Sequence, residues 1–99
     1  MKYHIEIYRK FNLELKGLWT AFQEDAEYYG FQCYEWNSHR YWTVGKPLYG
    51  VEPAIVVISS SEGIIAIFPL CLRKTIGNWV LEWLGGNQTD FHGPLISTK

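Results

Sequence analysis

The stretch GIIAIFPLCLRK, residues 63–74, decides the fold. Ile64, Ala66, Phe68, Leu70 and Leu72 alternate with Ile65, Ile67, Pro69 and Cys71 before the basic pair Arg73 and Lys74. Side chains along a strand point to opposite faces in turn, so a strand written this way is apolar on both faces until its basic end. Such a strand belongs inside a sheet, and a covering layer is expected over each face. Pro69 cannot donate a ladder hydrogen bond, so a bulge or a splayed pairing is expected at Phe68 and Pro69. Irregularities of this kind are enriched beside binding sites, and they also serve simply to adjust twist.

The flanking sequence extends the sheet in both directions. Upstream, AIVVIS (54–59) is a β-branched run, and the polar link Ser60, Ser61, Glu62, Gly63 reads as a hairpin connection. Downstream, Gly77 and Asn78 turn the chain into WVLEWL (79–84), with Trp79, Leu81 and Trp83 on one face and Val80, Glu82 and Leu84 on the other. Three consecutive antiparallel strands are the economical reading. Nearer the N-terminus, residues 3–8 alternate as a first strand. From Asn12 the period becomes helical, with Leu15, Leu18, Trp19, Phe22 and Ala26 in one stripe. Asn12 suits an N-cap, Glu14 suits the positive end of the helix, and Gly30 lies beyond its expected stop. Gly17 inside that helix costs about 1 kcal/mol relative to alanine. A second helix is expected from Tyr34 to Gly45, followed by PLYGVEP (47–53) as a loop. The resulting order is β-α-α-β-β-β, an α+β (mixed α/β) layout in which helices pack on an antiparallel central sheet.

Composition narrows the class. Ninety-nine residues make one domain, 1–99, and 47% hydrophobic content with 17% aromatics excludes disorder. So much apolar surface in so short a chain implies that part of it faces a partner. A formal net charge of −1 with mixed signs supplies no basic field for nucleic acid. Cys33 and Cys71 stand far apart in no metal-ligand spacing, so free thiols are expected, with neither a metal site nor a disulfide framework. The charged N-terminus MKYHIEIYRK is unlike a signal peptide and no apolar run approaches a membrane span, so a cytoplasmic protein without membrane contact is expected.

Chemistry-bearing residues are few. Asp90 and His92 flank Phe91 in TDFHGPL (89–95), where an aspartate can orient or deprotonate an acceptor amine and a histidine can relay the proton. The same residue types also build turns, with Asp90 bonded to local backbone. Trp36, with Tyr41 and Trp42, can line an acceptor pocket or stack on a sugar, or can pack in the core. Glu35 and His39 stand at i and i+4 on the second helix, a spacing for an acid/base or metal pair or a plain surface contact. Arg73 and Lys74 can meet an anion or simply solvate a strand end.

Four pieces in order, FQCYEW (31–36), the strand ending in IFPLCL (67–72), LEWLGG (81–86) and TDFHGPL (89–95), resemble the N-terminal part of GNAT-superfamily acetyltransferases. The nearest branch is the CelD/BioF-like one, related to the Fem peptidoglycan aminoacyltransferases. The resemblance implies a partial GNAT-like fold and a role as the N-terminal, acceptor-side half of an N-acyltransferase. Asp90, His92 and Trp36 are then the expected contacts for a small amine acceptor. Enzymes of that superfamily bind the acyl-CoA pyrophosphate on a glycine-rich turn at a helix N-terminus, written R/Q-x-x-G-x-G/A. The pair Gly85 and Gly86 lacks that pattern. No cofactor is therefore expected on this chain; acetyl-CoA or another acyl-CoA would bind a C-terminal half, and this chain would be a truncated or split piece, inactive alone. The other reading from the residues is a non-catalytic protein-interaction or carbohydrate-binding module that self-associates.

Overall fold

The computed structural model describes residues 2–24, 26–27, 33–84 and 94–97. Six strands form one antiparallel sheet with a helical layer against it: β1 (His4–Tyr8), α1 (Leu13–Gln23), β2 (Ala26–Glu27), α2 (Tyr34–Arg40), β3 (Glu52–Ser60), β4 (Gly63–Thr75), β5 (Asn78–Trp83) and β6 (Leu95–Ser97). The α+β class and the antiparallel sheet agree with the sequence reading. Strand order across the sheet is β1-β3-β4-β6-β2, and β5 pairs with the other end of the β4 edge that holds β6. Among the described residues, no helix is long and apolar enough to cross a membrane.

Strand β4 is the axis. Its 13 residues span about 43 Å at the usual rise, which matches the 41 Å long dimension of the molecule. The β3–β4 ladder sets Val57 opposite Ile67, Ile55 opposite Pro69 and Pro53 opposite Cys71, all buried on the face toward the helices. Leu15 and Trp19 of α1, then Tyr34 and Tyr41, close the core over that face together with Leu95 and Tyr8. Phe11 gathers three of the rings, lying 6.4 Å from Trp19, 6.0 Å from Tyr34 and 5.0 Å from Tyr41 between centroids.

The helix starts are explained by local hydrogen bonds. The Asn12 side chain accepts the Leu15 N–H at 2.8 Å, as an N-cap should. Cys33 Sγ accepts the Trp36 N–H at 3.4 Å, a weak cap, and it is reinforced from α1: Gln23 Oε1 accepts the Tyr34 N–H at 2.9 Å while Gln23 Nε2 donates to Glu35 at 3.0 Å. One side chain at the end of the first helix thus holds the start of the second.

Several expectations are corrected. Among the described residues the sheet is covered on one face only, since the described helices all lie on that face. The bulge falls at the step between Ile58 and Ser59, where Ile65 is the extra β4 residue, and not at Phe68 and Pro69, through which the β3 ladder runs unbroken. Ala26 leaves the α1 stripe for β2, because its backbone pairs with Ser97 of β6. That pairing adds two short strands to the expected β-α-α-β-β-β order. The second helix does not stop at Gly45. It continues through Tyr41–Tyr49 as a wide helix of π type and ends at Gly50, whose φ of 63° is the left-handed conformation glycine takes at a helix end. Bonds from Gly50 N–H to the Gly45 and Lys46 carbonyls close the last turn, so Pro47, with no N–H to give, is carried inside a widened coil.

Two glycines in helices should respond oppositely to alanine. A Cβ on Gly17 meets nothing within 4 Å, so Gly17→Ala should stabilise the protein by about 1 kcal/mol. A Cβ on Gly45 would lie 2.8 Å from a methyl of buried Val51, so Gly45→Ala should cost roughly 1–3 kcal/mol through overpacking. Urea denaturation of both variants measures the two signs.

Candidate functional site

The most irregular point of the sheet is the middle of β4. On one edge β3 is continuous; on the other, β5 pairs from Thr75 back to Leu70 opposite Trp83, and β6 takes over at Ile67 opposite Leu95. Phe68 and Pro69 lie between the two partners. The Leu84 N–H donates to the Pro69 carbonyl at 2.9 Å, which fixes that carbonyl toward the forked edge. In an antiparallel strand a residue's N–H and C=O share an edge, so the donor that Pro69 lacks falls on the β5/β6 edge, at the last rung of the β5 pairing, and not on the β3 edge. The β3 ladder therefore loses no hydrogen bond to the proline, and β5 and β6 splay apart at this position. The Phe68 and Trp83 rings stack beside it, 6.5 Å apart and 15° from parallel.

This fork anchors both flanks of the segment that carries the sequence's best chemical candidates. Leu84 is tied to Pro69, and Leu95 is tied to Ile67 two residues away on the same strand. The two anchors therefore sit side by side at the gap. Asp90 and His92 lie between them in sequence, outside the described residues. Trp36 is half-buried in the first turn of α2, on the helical layer. Glu35 does not pair with His39; it accepts from Gln23, and both Glu35 and His39 are exposed. Arg73 is held by Glu82, with Nε–Oε1 at 2.5 Å, and Lys74 lies 5.8 Å from the Trp79 ring. Those engagements explain why strand β4 ends in two cations: one pairs across to β5 and the other caps an aromatic face.

Sequence reasoning missed a cavity of about 450 Å³ between the end of α1, the β3–β4 hairpin and β6. Phe22, Ile64 and Ile65 give it apolar walls, and Ser60, Glu62 and Ser97 supply hydroxyls and one carboxylate. The signal was present in the polar link at residues 60–63, which reads as a turn alone. An apolar cleft bearing one carboxylate suits a cationic group on an apolar stem. Among the described residues, no cluster of three or more His, Cys, Asp or Glu could hold a metal ion.

The buried thiol and three tyrosine hydroxyls of the core are held neutral. Burial is the main cause that pushes the Cys71 thiol up to about 11, with the Glu82 carboxylate adding to it and the Arg73 and Arg40 charges opposing. Burial likewise raises the hydroxyls of Tyr8, Tyr34 and Tyr41, and for Tyr8 the carboxylates of Glu6 and Glu14 act in the same direction. The thiol of Cys71 is thus a packing group, since thiol nucleophilicity resides in the thiolate.

No family profile matches the chain, and no curated protein and no solved structure is significantly similar to it.

The raised groups define an alkaline limit. A group whose folded pKa lies above its unfolded value stabilises below the unfolded value and loses that contribution as pH rises through the folded one. Stability should hold near neutrality and fall between about pH 9 and 11, and Cys71→Ala should flatten the first part of that fall. Denaturant midpoints across this range test it. Thiol labelling of the native chain at pH 8 should modify half-buried Cys33 well before buried Cys71, with both reacting after denaturation.

Proposed function

We propose that this chain is the N-terminal, acceptor-side module of a GNAT-type N-acyltransferase, with the acyl-CoA donor bound by polypeptide outside it. The observation that carries the reading is the fork of β4: it holds both flanks of the segment bearing Asp90 and His92 within two residues of each other on one strand. Clamping a short acidic and imidazole-bearing segment beside a sheet irregularity is a way to present a base and a proton relay to an acceptor amine. The cavity beside β6 adds Glu62, whose carboxylate can meet the ammonium form of such an acceptor before transfer. Acyl transfer then forms the amide bond from amine nitrogen to acyl carbon, breaks the thioester, and passes the amine proton to the base while the CoA thiolate leaves. The acyl-CoA comes from the donor half, because the glycine pair Gly85 and Gly86 lacks the spacing for a pyrophosphate.

Calorimetric titration distinguishes the parts of this proposal. Small primary amines should bind the chain saturably and lose affinity about tenfold in Asp90→Asn or Glu62→Gln, while acetyl-CoA should give no saturable heat. Saturable acetyl-CoA binding would overturn the half-module reading. Silence toward every amine would overturn the acceptor-side role.

A second reading, a non-catalytic interaction module, is favoured by a separate observation: one whole face of the sheet carries no helix among the described residues.

A further inference from the structure

The face of the sheet turned away from the helices can be read directly from the register. Ile5 lies opposite Ile58 and Ile7 opposite Val56; Val56 and Ile58 lie opposite Phe68 and Ala66; Leu72 and Leu70 lie opposite Leu81 and Trp83; Ala66 lies opposite Ile96. Directly opposed residues share a face, so four adjacent strands and β6 contribute one unbroken apolar surface. Among the described residues, charges stand at its margins: at one end Arg9 pairs with Glu52 at 2.8 Å and Lys74 lies over Trp79, and on the outermost strand Glu27 is opposite Ile96. Of the two apolar sides of β4, one is therefore used by the core and the other meets no helix among the described residues.

Its size argues for a specific occupant. Ile5, Ile7, Leu81, Ile96 and Trp79 are 60%, 56%, 57%, 52% and 49% exposed, and Tyr3 continues the β1 row. With roughly 100 Å² from each of these six and smaller areas from the half-buried rows between them, the face offers on the order of 800 Å². Monomeric proteins seldom expose apolar patches beyond about 300–600 Å², while each partner in a stable complex contributes about 800 Å². A single copy of the face is thus already as large as one side of a stable interface. It is also free of charge over its centre, so two copies brought face to face meet no like charges there. A two-fold axis lying across the strands would place the end of each copy that bears Arg9, Glu52 and Lys74 over the Ile96 end of the other, so that like ends do not meet.

We infer that a second copy of this chain covers the face, the two sheets packing as an aligned sandwich about 10 Å apart through an isologous interface. The inference stands on the register and the exposed area and does not depend on acyl transfer. It also supplies the second layer that the β4 sequence calls for.

Size-exclusion chromatography with light scattering on the full chain tests it. The expected mass is twice the 11.6 kDa of one chain. Ile7→Lys and, separately, Leu81→Lys place an ammonium in the middle rows at exposed positions, and each should return the mass to one chain while the far-ultraviolet circular dichroism is kept. Thr20→Lys, an exchange on the helical layer, should leave the dimer intact. A wild-type chain that runs as a monomer overturns the inference, as does a dimer that survives both face substitutions, which would join through another surface such as the outer edge of β1. Should either lysine variant fail to fold, Ile96→Lys probes the same face from another strand: a monomer supports the inference and a surviving dimer overturns it.

Discussion

Everything in the sheet depends on the hydrogen-bonding edges of one strand. β4 pairs with β3 from Gly63 to Leu72 on one edge, apart from the bulge at Ile65, and divides its other edge between β5 and β6. At the division the Leu84 N–H takes up the Pro69 carbonyl, and Pro69 has no N–H to return. The proline that looked misplaced in a central strand stands at the last rung of the β5 pairing, where its missing N–H leaves the β3 ladder intact.

How the two faces of β4 are used follows from the same geometry. Odd-numbered Ile67, Pro69 and Cys71 meet the helices and are buried; even-numbered Ala66, Phe68, Leu70 and Leu72 meet no helix among the described residues and are half-buried by one another. Side chains in the middle of a sheet shelter their neighbours in the row, which is why the central even positions look better protected than Ile5 and Ile7 on the outer strand. The helical face is anchored differently, by aromatic packing around Phe11 and by the Gln23 bridge between the helices.

Alternation made β4, β3, β5 and β1 readable in the sequence, and the 3.6-residue stripe made α1 readable as far as Phe22. What escaped was set by partners distant in sequence. Ala26 fits the helical stripe as well as Phe22 does, and only its pairing with Ser97 takes it out. Gly45 and Pro47 have the residue types of a helix stop, yet the chain widens its coil and runs on to Gly50, with Val51 packed against Gly45 where a side chain would stand. Alternation also shows that a strand has two apolar faces without showing what covers them, so which face stays bare could not be foreseen. For the candidate site, Pro69 was a visible sign of irregularity, and Asp90 and His92 were visible as chemistry. The link between the two was not, since it consists of a backbone hydrogen bond from Leu84 and a two-residue register at β6. Glu62 was hidden by its turn, because Ser60, Glu62 and Gly63 satisfy hairpin chemistry before any cavity is considered.

The brevity of β6 has a kinetic meaning. Among the described residues its ladder to β4 runs over Ala66 and Ile67, and it carries β2 on its far side by two further pairs, whereas β3 and β4 share a long ladder closed by a two-residue turn. Local contacts form first and are lost last, so the β3–β4 hairpin is the cooperative unit of this fold and β6 with β2 is its loosest corner. Amide protons of β6 would then exchange with solvent through a small local opening while those of β3 wait for global unfolding. Of the two anchors at the fork, the one at Leu95 rests on the shorter ladder, and opening there leaves the long hairpin and its hold on Leu84 in place.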